Sequence, residues 1–314
     1  MSNQETHLVL GAGQIGPLVA ERLVARGHRV RVGRRTAAPT RAGVETVVID
    51  VRDADAVARA ADGATVVYNC VNPLYYQWPE MLLPITRGIV DGSARAGARL
   101  VALDCLYMYG DTSRMNEATV PAPVSKKGVL RMKSGEYMLE ADARGTVTVS
   151  IGRAADFFGP RAPQSIFGDR FFERVFAKKS VEVFGDIDAL HTYSYTADVA
   201  AGLVALGSRT DAHGVWMLPV QPAESTRALI DRFAGALALP IRTMQVPNWL
   251  LRGVGVFQPI MRELAEMTYQ WKQPYVVDDA KFRATFGFGA TPWDDSITAT
   301  TAWAKATWET RAAA

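Results

Sequence analysis

Three observations predict an α/β fold: a doubly wound parallel sheet of the Rossmann type with a smaller interleaved substrate lobe. Short apolar strands alternate with helical patterns through the first half of the chain. Gly11-x-Gly13-x-x-Gly16 joins the first strand to the first helix, and the regular alternation stops after Gly152. Alternation of this kind specifies parallel strands with helices on both faces. The expected strands are 6–10, 29–32, 44–49, 65–69, 99–104 and 146–151. Beyond Gly152 the prolines at 160, 163, 219, 222, 240, 247 and 259 break the chain into shorter units. Residues 1–152 with 190–218 are expected to form a dinucleotide-binding domain, and 153–189 with 219–314 the substrate lobe.

The first strand, Leu8-Val9-Leu10, runs directly into the glycine motif, and an apolar helical pattern from Leu18 to Val24 follows. Gly11 suits the tight turn, Gly13 lets backbone approach a phosphate, and Gly16 lets the helix pack close to the strand. With Gln14 and Ile15 they form a cradle in which an anion meets free helix N–H groups. Val71 and Asn72, after the fourth strand, are expected along the same cofactor edge. The residue type after the second strand selects the dinucleotide. A ribose 2′-hydroxyl calls for an acidic side chain there, whereas Gly33-Arg34-Arg35-Thr36 offers two guanidinium groups suited to a 2′-phosphate. NADP(H) is therefore the expected cofactor, the alternative being two solvated turn arginines. Asp50, at the end of the third strand, either borders the adenine or belongs to a helix cap.

At 314 residues, 48% of them hydrophobic, the chain can fill a large core. Its net charge of +3 is dispersed without a basic block, which argues against nucleic acid. No signal peptide and no apolar run of membrane-spanning length is visible, so a cytoplasmic, membrane-free protein is expected, as a monomer or homodimer. Cys70 and Cys105 make no disulfide framework, and His7, His28, His191 and His213 form no paired metal motif, so no metal is expected.

The motifs Gly11-x-Gly13-x-x-Gly16, Tyr107-Met108-Tyr109-Gly110, Lys133, Arg153 through Gly159-Pro160, and Tyr195-Thr196-Ala197-Asp198-Val199-Ala200 resemble those of the extended and atypical short-chain dehydrogenases/reductases, the NAD-dependent epimerase/dehydratase family. The resemblance runs over nearly the whole chain and is more specific for fold than for reaction. It implies a Ser or Thr four residues before the tyrosine of the family's Val-Tyr-Gly turn, where Cys105 stands, and a later Tyr-x-x-x-Lys pair. Counting back from Lys133 puts Val129 in the place of the tyrosine, whose phenol passes a proton to or from substrate oxygen. Lys133 is then expected to order the nicotinamide ribose and to supply or relay the proton, or else to be one cation in the run Lys126, Lys127, Arg131, Lys133. Tyr107 is the favoured substitute phenol, with Tyr75, Tyr76, Tyr109 and Tyr137 as others. Cys105 has no histidine beside it in sequence and reads as a small wall next to the nicotinamide rather than a nucleophile.

The resemblance also places His191 where nucleotide-sugar enzymes carry a diphosphate-clamping arginine, and Asp156 where they often carry asparagine. With Tyr109 these are the candidate substrate residues, and an imidazole replaces a bidentate fork poorly. Trp249, Phe257, Met261, Met267, Tyr269 and Trp271 read as substrate-lobe apolar surface or core. The main expectation is an NADP(H)-dependent oxidoreductase for a small, mainly apolar carbonyl or conjugated substrate. The alternatives are a redox-neutral epimerase, dehydratase or isomerase with resident NAD(P), and a non-catalytic NADP-binding regulator.

Overall fold

The computed structural model describes residues 4–39, 42–254 and 259–312. The chain divides into two compact units, Met1–Met108 with Lys126–Arg153 and Val199–Leu218, and Tyr109–Ser125 with Ala154–Asp198 and Pro219–Ala314. Residues 109–125 and 190–198 thus group with the second unit.

The first unit is built on seven parallel strands: β1 (Thr6–Leu10), β2 (Arg29–Arg34), β3 (Val44–Val48), β4 (Val66–Asn69), β5 (Arg99–Asp104), β6 (Val149–Arg153) and β7 (Gly214–Met217). Their order is β7-β6-β5-β4-β1-β2-β3. The direction of winding reverses between β1 and β4, which opens the ligand crevice of doubly wound sheets. Leu8, Val9 and Leu10 are fully buried, as a central strand covered on both faces requires. β6 begins at Val149 because Gly145, at φ +68°, and Thr146 still close the preceding helix. The Thr146 N–H and hydroxyl both donate to Ala141 O, at 3.1 and 2.8 Å. β7 lies outside the six expected strands.

The helices that cover this sheet include α1 (Gly16–Ala25), α2 (Ala54–Ala60), α3 (Trp78–Arg95) and α4 (Lys126–Ala143). Asp53 caps α2, its side chain accepting from the Asp55 and Ala56 N–H groups at 2.9 and 3.2 Å. Asp50 is not a cap; it pairs with Arg52 at 2.5 Å on the surface. α3 comes close to α2 only because Gly92 has no side chain: a Cβ there would lie 2.5 Å from Val57 Cβ. Thr86 of α3 and Ser134 of α4 share a buried hydroxyl hydrogen bond of 2.7 Å.

The second unit has its own aromatic core, in which Phe158, Phe167, Phe172, Tyr193, Phe233 and Trp293 pack together. Met267 and Tyr269 are buried, whereas Trp249 is exposed. Phe257 and the side chain of Met261 lie outside the described residues. Gly159 adopts φ +132°, and a Cβ would meet Thr196 Oγ1 at 2.5 Å, so the Gly159-Pro160 turn and the Tyr195-Thr196 segment fit only with glycine there.

Candidate functional site at the carboxyl edge of the sheet

The turn after β1 is set by its glycines. Gly11, at φ +100°, donates its N–H to Gly33 O at 2.9 Å, and a Cβ on it would collide with Cys70 O at 2.8 Å. A Cβ on Gly16 would lie 1.8 Å from Gly11 O, whereas one on Gly13 would meet no protein atom within 4 Å. Two of the three glycines are therefore required by packing, and the third leaves open space where a pyrophosphate would approach the backbone. Ile15 is buried beneath the turn, and the Gln14 Oε1 has no hydrogen-bond partner among the described residues. Beside the turn, Arg34 is half-buried and its Nε is buried without a partner among the described residues, while Arg35 is exposed. A buried guanidinium N–H left unsatisfied is costly, and a phosphate oxygen would satisfy it.

Helix α4 shows which cations face inward. Lys127, Arg131, Ser134, Met138 and Ala141 are buried, at the spacings of one helical face. Lys126, Lys133, Glu136 and Glu140 are exposed on the other. Lys133, the lysine expected at the cofactor edge, is exposed, two residues and about 200° around the helix from the buried Arg131. Val129 is half-buried. The two buried cations are themselves four residues apart, so Lys127 and Arg131 reproduce the spacing that the family's Tyr-x-x-x-Lys pair implies.

Arg131 is held from three sides. Its Nη2 donates to Asn72 Oδ1 at 2.7 Å, its Nη1 lies 3.4 Å from Asp104 Oδ1, and its guanidinium sits 4.3 Å from the Trp78 ring centre. Arg153 Nε lies 3.4 Å from the other Asp104 oxygen. Asp104 ends β5 and Arg153 ends β6, in register, so this buried network fixes the carboxyl ends of two strands. Lys127 Nζ lies 5.4 Å from the Tyr75 ring centre. The Tyr75 hydroxyl is 2.6 Å from that of Tyr107, which also stacks on Trp78 at 6.1 Å. Asn72, Tyr75, Trp78, Asp104, Tyr107, Lys127, Arg131 and Arg153 thus converge on one edge of the sheet.

Cys105 and Cys70 follow β5 and β4 on the same edge, and burial pushes both thiols up to about 12. Neither is a thiolate near neutrality. Tyr137 is occupied elsewhere: its hydroxyl donates to Asp91 Oδ1 at 2.8 Å and ties α4 to α3. Tyr76 is exposed. Val71 is half-buried, its N–H donating to Asn69 Oδ1 at 3.0 Å.

In the second unit, His191 Nε2 and Asp156 Oδ2 form a 2.9 Å pair. The imidazole is buried, stacked at 5.3 Å on Trp271 and at 5.2 Å on Tyr275. Tyr109 is completely buried. Periodicity along α4 was the signal that identifies Lys127 and Arg131; counting from the lysine alone misses them.

No curated protein matches this sequence. Among solved structures, the chain is similar to a UDP-glucuronic acid 4-epimerase from Bacillus cereus in complex with NAD, at 16% identity and TM-score 0.78 over 97% of this chain and 98% of that one. It is also similar to a UDP-N-acetylglucosamine 4-epimerase from the same organism, at 13% identity and TM-score 0.77 over 95% and 96%. A third is the Bordetella bronchiseptica enzyme WbmG in complex with NAD and UDP, at 20% identity and TM-score 0.76 over 98% and 95%. At these identities the likeness shows the fold. The family itself is shown by a match over residues 7–216, two-thirds of the sequence and nearly all of the sheet: the chain belongs to the NAD dependent epimerase/dehydratase family.

Proposed function

We propose that the chain is a dinucleotide-dependent enzyme that acts in a redox-neutral manner, as an epimerase or dehydratase, on a hydroxylated carbon of a small molecule without a nucleoside diphosphate. The observation that carries this reading is the buried Lys127–Arg131 pair beside the Tyr75–Tyr107 hydroxyls, at the sheet edge below the glycine turn. The family match favours this reading over the net carbonyl reduction expected from the sequence.

The glycine turn and the N-terminus of α1 fit a pyrophosphate, and Arg34 supplies an unsatisfied N–H for a 2′-phosphate, which supports NADP(H). When bound, the dinucleotide supplies a hydride acceptor and donor. Arg131 acts as a positioning residue: fastened to Asn72, Asp104 and Trp78, it orders the loops after β4 and β5. A guanidinium does not release its proton under ordinary conditions, so Arg131 cannot stand in for the phenol. Lys127 and the Tyr107 hydroxyl, the latter backed by Tyr75, are the groups that take up and return a proton at a substrate oxygen. Net reduction of a carbonyl by NADPH is the second reading, favoured by Arg34.

Untagged protein purified without added cofactor and then denatured should release a nicotinamide dinucleotide. Incubated with panels of sugars, polyols and ketones, the native protein should yield an isomerised or dehydrated product with no net change in the absorbance of the reduced dinucleotide. Stoichiometric consumption of NADPH with product would replace this proposal by the reductase reading.

A further inference from the structure

Far from the glycine turn, at the amino ends of β1 and β2, parallel pairing assembles a cluster that sequence spacing does not reveal. Thr6 pairs with Arg29 and His7 with Val30, so His28 falls beside Glu5. Arg29 N–H donates to Glu5 O at 2.9 Å, and Glu5 N–H to His28 Nδ1 at 3.3 Å. One ligand atom each from Glu5, His7 and His28 lies within 4.8 Å of the others. The two rings meet edge to face with centres 4.7 Å apart.

We propose that Glu5, His7 and His28 form a binding site for one divalent transition ion of the zinc type. The distance between His7 Nε2 and Glu5 Oε2 is 3.4 Å, and the pair does not meet hydrogen-bond geometry. It does match the edge of a coordination tetrahedron, since metal–ligand bonds of about 2.0–2.2 Å place neighbouring ligand atoms about 3.3–3.5 Å apart. The independent observation is His7 itself. Its side chain is 3% exposed, and neither ring nitrogen has a hydrogen-bond partner among the described residues. A buried imidazole left so is costly, and a metal would engage the nitrogen that faces Glu5.

His28 and Glu5 are half-buried, so an ion can enter from the surface and water can fill the remaining position. If His28 ligates through Nδ1, it surrenders only the long bond from Glu5. Arg99 is the cation that bears on His7, and both of its terminal nitrogens are tied to carbonyls, Nη1 to Arg209 O at 2.7 Å and Nη2 to Gly207 O at 2.6 Å. The Glu5 carboxylate offsets it. Two histidines and one carboxylate suit zinc, cobalt or nickel better than magnesium or calcium, which prefer oxygen. Because the cluster sits at the amino ends of β1 and β2 and the glycine turn at the carboxyl end of β1, the ion would pin the start of the sheet and take no part in the chemistry.

The test uses untagged full-length protein stripped with a chelator and titrated with Co2+, followed by competition with Zn2+. One Co2+ per chain should bind with a visible ligand-field band that Zn2+ abolishes, and Zn2+ should raise the thermal midpoint. Replacing an outer-shell partner alone costs about 10- to 100-fold in metal affinity, so His28→Gln and Glu5→Gln should each weaken binding by about 100-fold or more. Both replace partly exposed side chains and should leave dinucleotide binding unchanged, which separates this site from the one proposed above. No binding of either metal, or binding that neither variant weakens, would overturn the proposal.

Discussion

Arg34 is the residue on which cofactor choice turns. Its Nε is buried with no partner among the described residues, and no acidic side chain follows β2 in Gly33-Arg34-Arg35-Thr36. A charge-assisted contact to a 2′-phosphate contributes about 1.5–3 kcal/mol, and each 1.4 kcal/mol is about tenfold in affinity. Arg34→Ala should therefore weaken NADPH binding by about tenfold or more and leave NADH nearly unchanged in parallel fluorescence titrations. Equal losses for both cofactors would mean that Arg34 holds the turn instead of the phosphate. The cysteines give a pH prediction of definite sign. With both thiols raised to about 12 by burial, the fraction present as thiolate in the native protein is negligible through the neutral range. Iodoacetamide at pH 8 should leave Cys70 and Cys105 unmodified in the native protein and alkylate both after unfolding, as read by mass spectrometry. Rapid native labelling of Cys105 would place a stabilising positive field at that sulfur.

At the scale of elements, α3 tests how tightly the sheet's helical layer is built. Gly92 faces Val57, and a Cβ would stand 2.5 Å from Val57 Cβ; Gly235, in the helix Thr226–Leu237, has nothing within 4 Å. Overpacking costs about 1–3 kcal/mol, so Gly92→Val should lower stability in urea by about that much. Gly235→Ala should raise it by about 0.5–1 kcal/mol, because alanine is the better helix former in open space. Stability equal to wild type in both variants would contradict the packing. The first five strands and α1 were legible in the sequence because central parallel strands read as apolar runs and the glycine motif needs few neighbours to define it. β7 was not, since Gly214–Met217 is four residues long and its partner Val149–Arg153 lies some sixty residues away in sequence. α4 shows the same limit in the site. Lys133 draws attention as a lysine, but the buried face running through Lys127, Arg131 and Ser134 is set by the helix's packing, and only its period betrays it. Tyr75 and Tyr107 come together through a contact between loops 32 residues apart, which no local pattern encodes. The metal cluster at Glu5, His7 and His28 depends likewise on strand register.

For the molecule as a whole, family and fold leave the substrate open, and the pairing of the buried His191 with the half-buried Asp156 narrows it. The imidazole is committed to a carboxylate at 2.9 Å and enclosed by aromatic rings, and it offers no bidentate fork for a diphosphate. Calorimetry with UDP-glucose at neutral pH should show no binding tighter than about millimolar, the range in which about 4 kcal/mol of binding free energy is all that remains. Micromolar binding would move the phosphate site elsewhere. The central claim is that proton transfer belongs to Lys127 and not to Lys133. It is tested most directly by the kcat of Lys127→Met and Lys133→Met on the substrate returned by the panel of sugars, polyols and ketones, with dinucleotide Kd measured on the same preparations. The account predicts that Lys127→Met loses about 10²–10⁴ in kcat while still folding and binding dinucleotide, and that Lys133→Met turns over at the wild-type rate. Wild-type turnover by Lys127→Met, or a comparable loss in Lys133→Met, would contradict it.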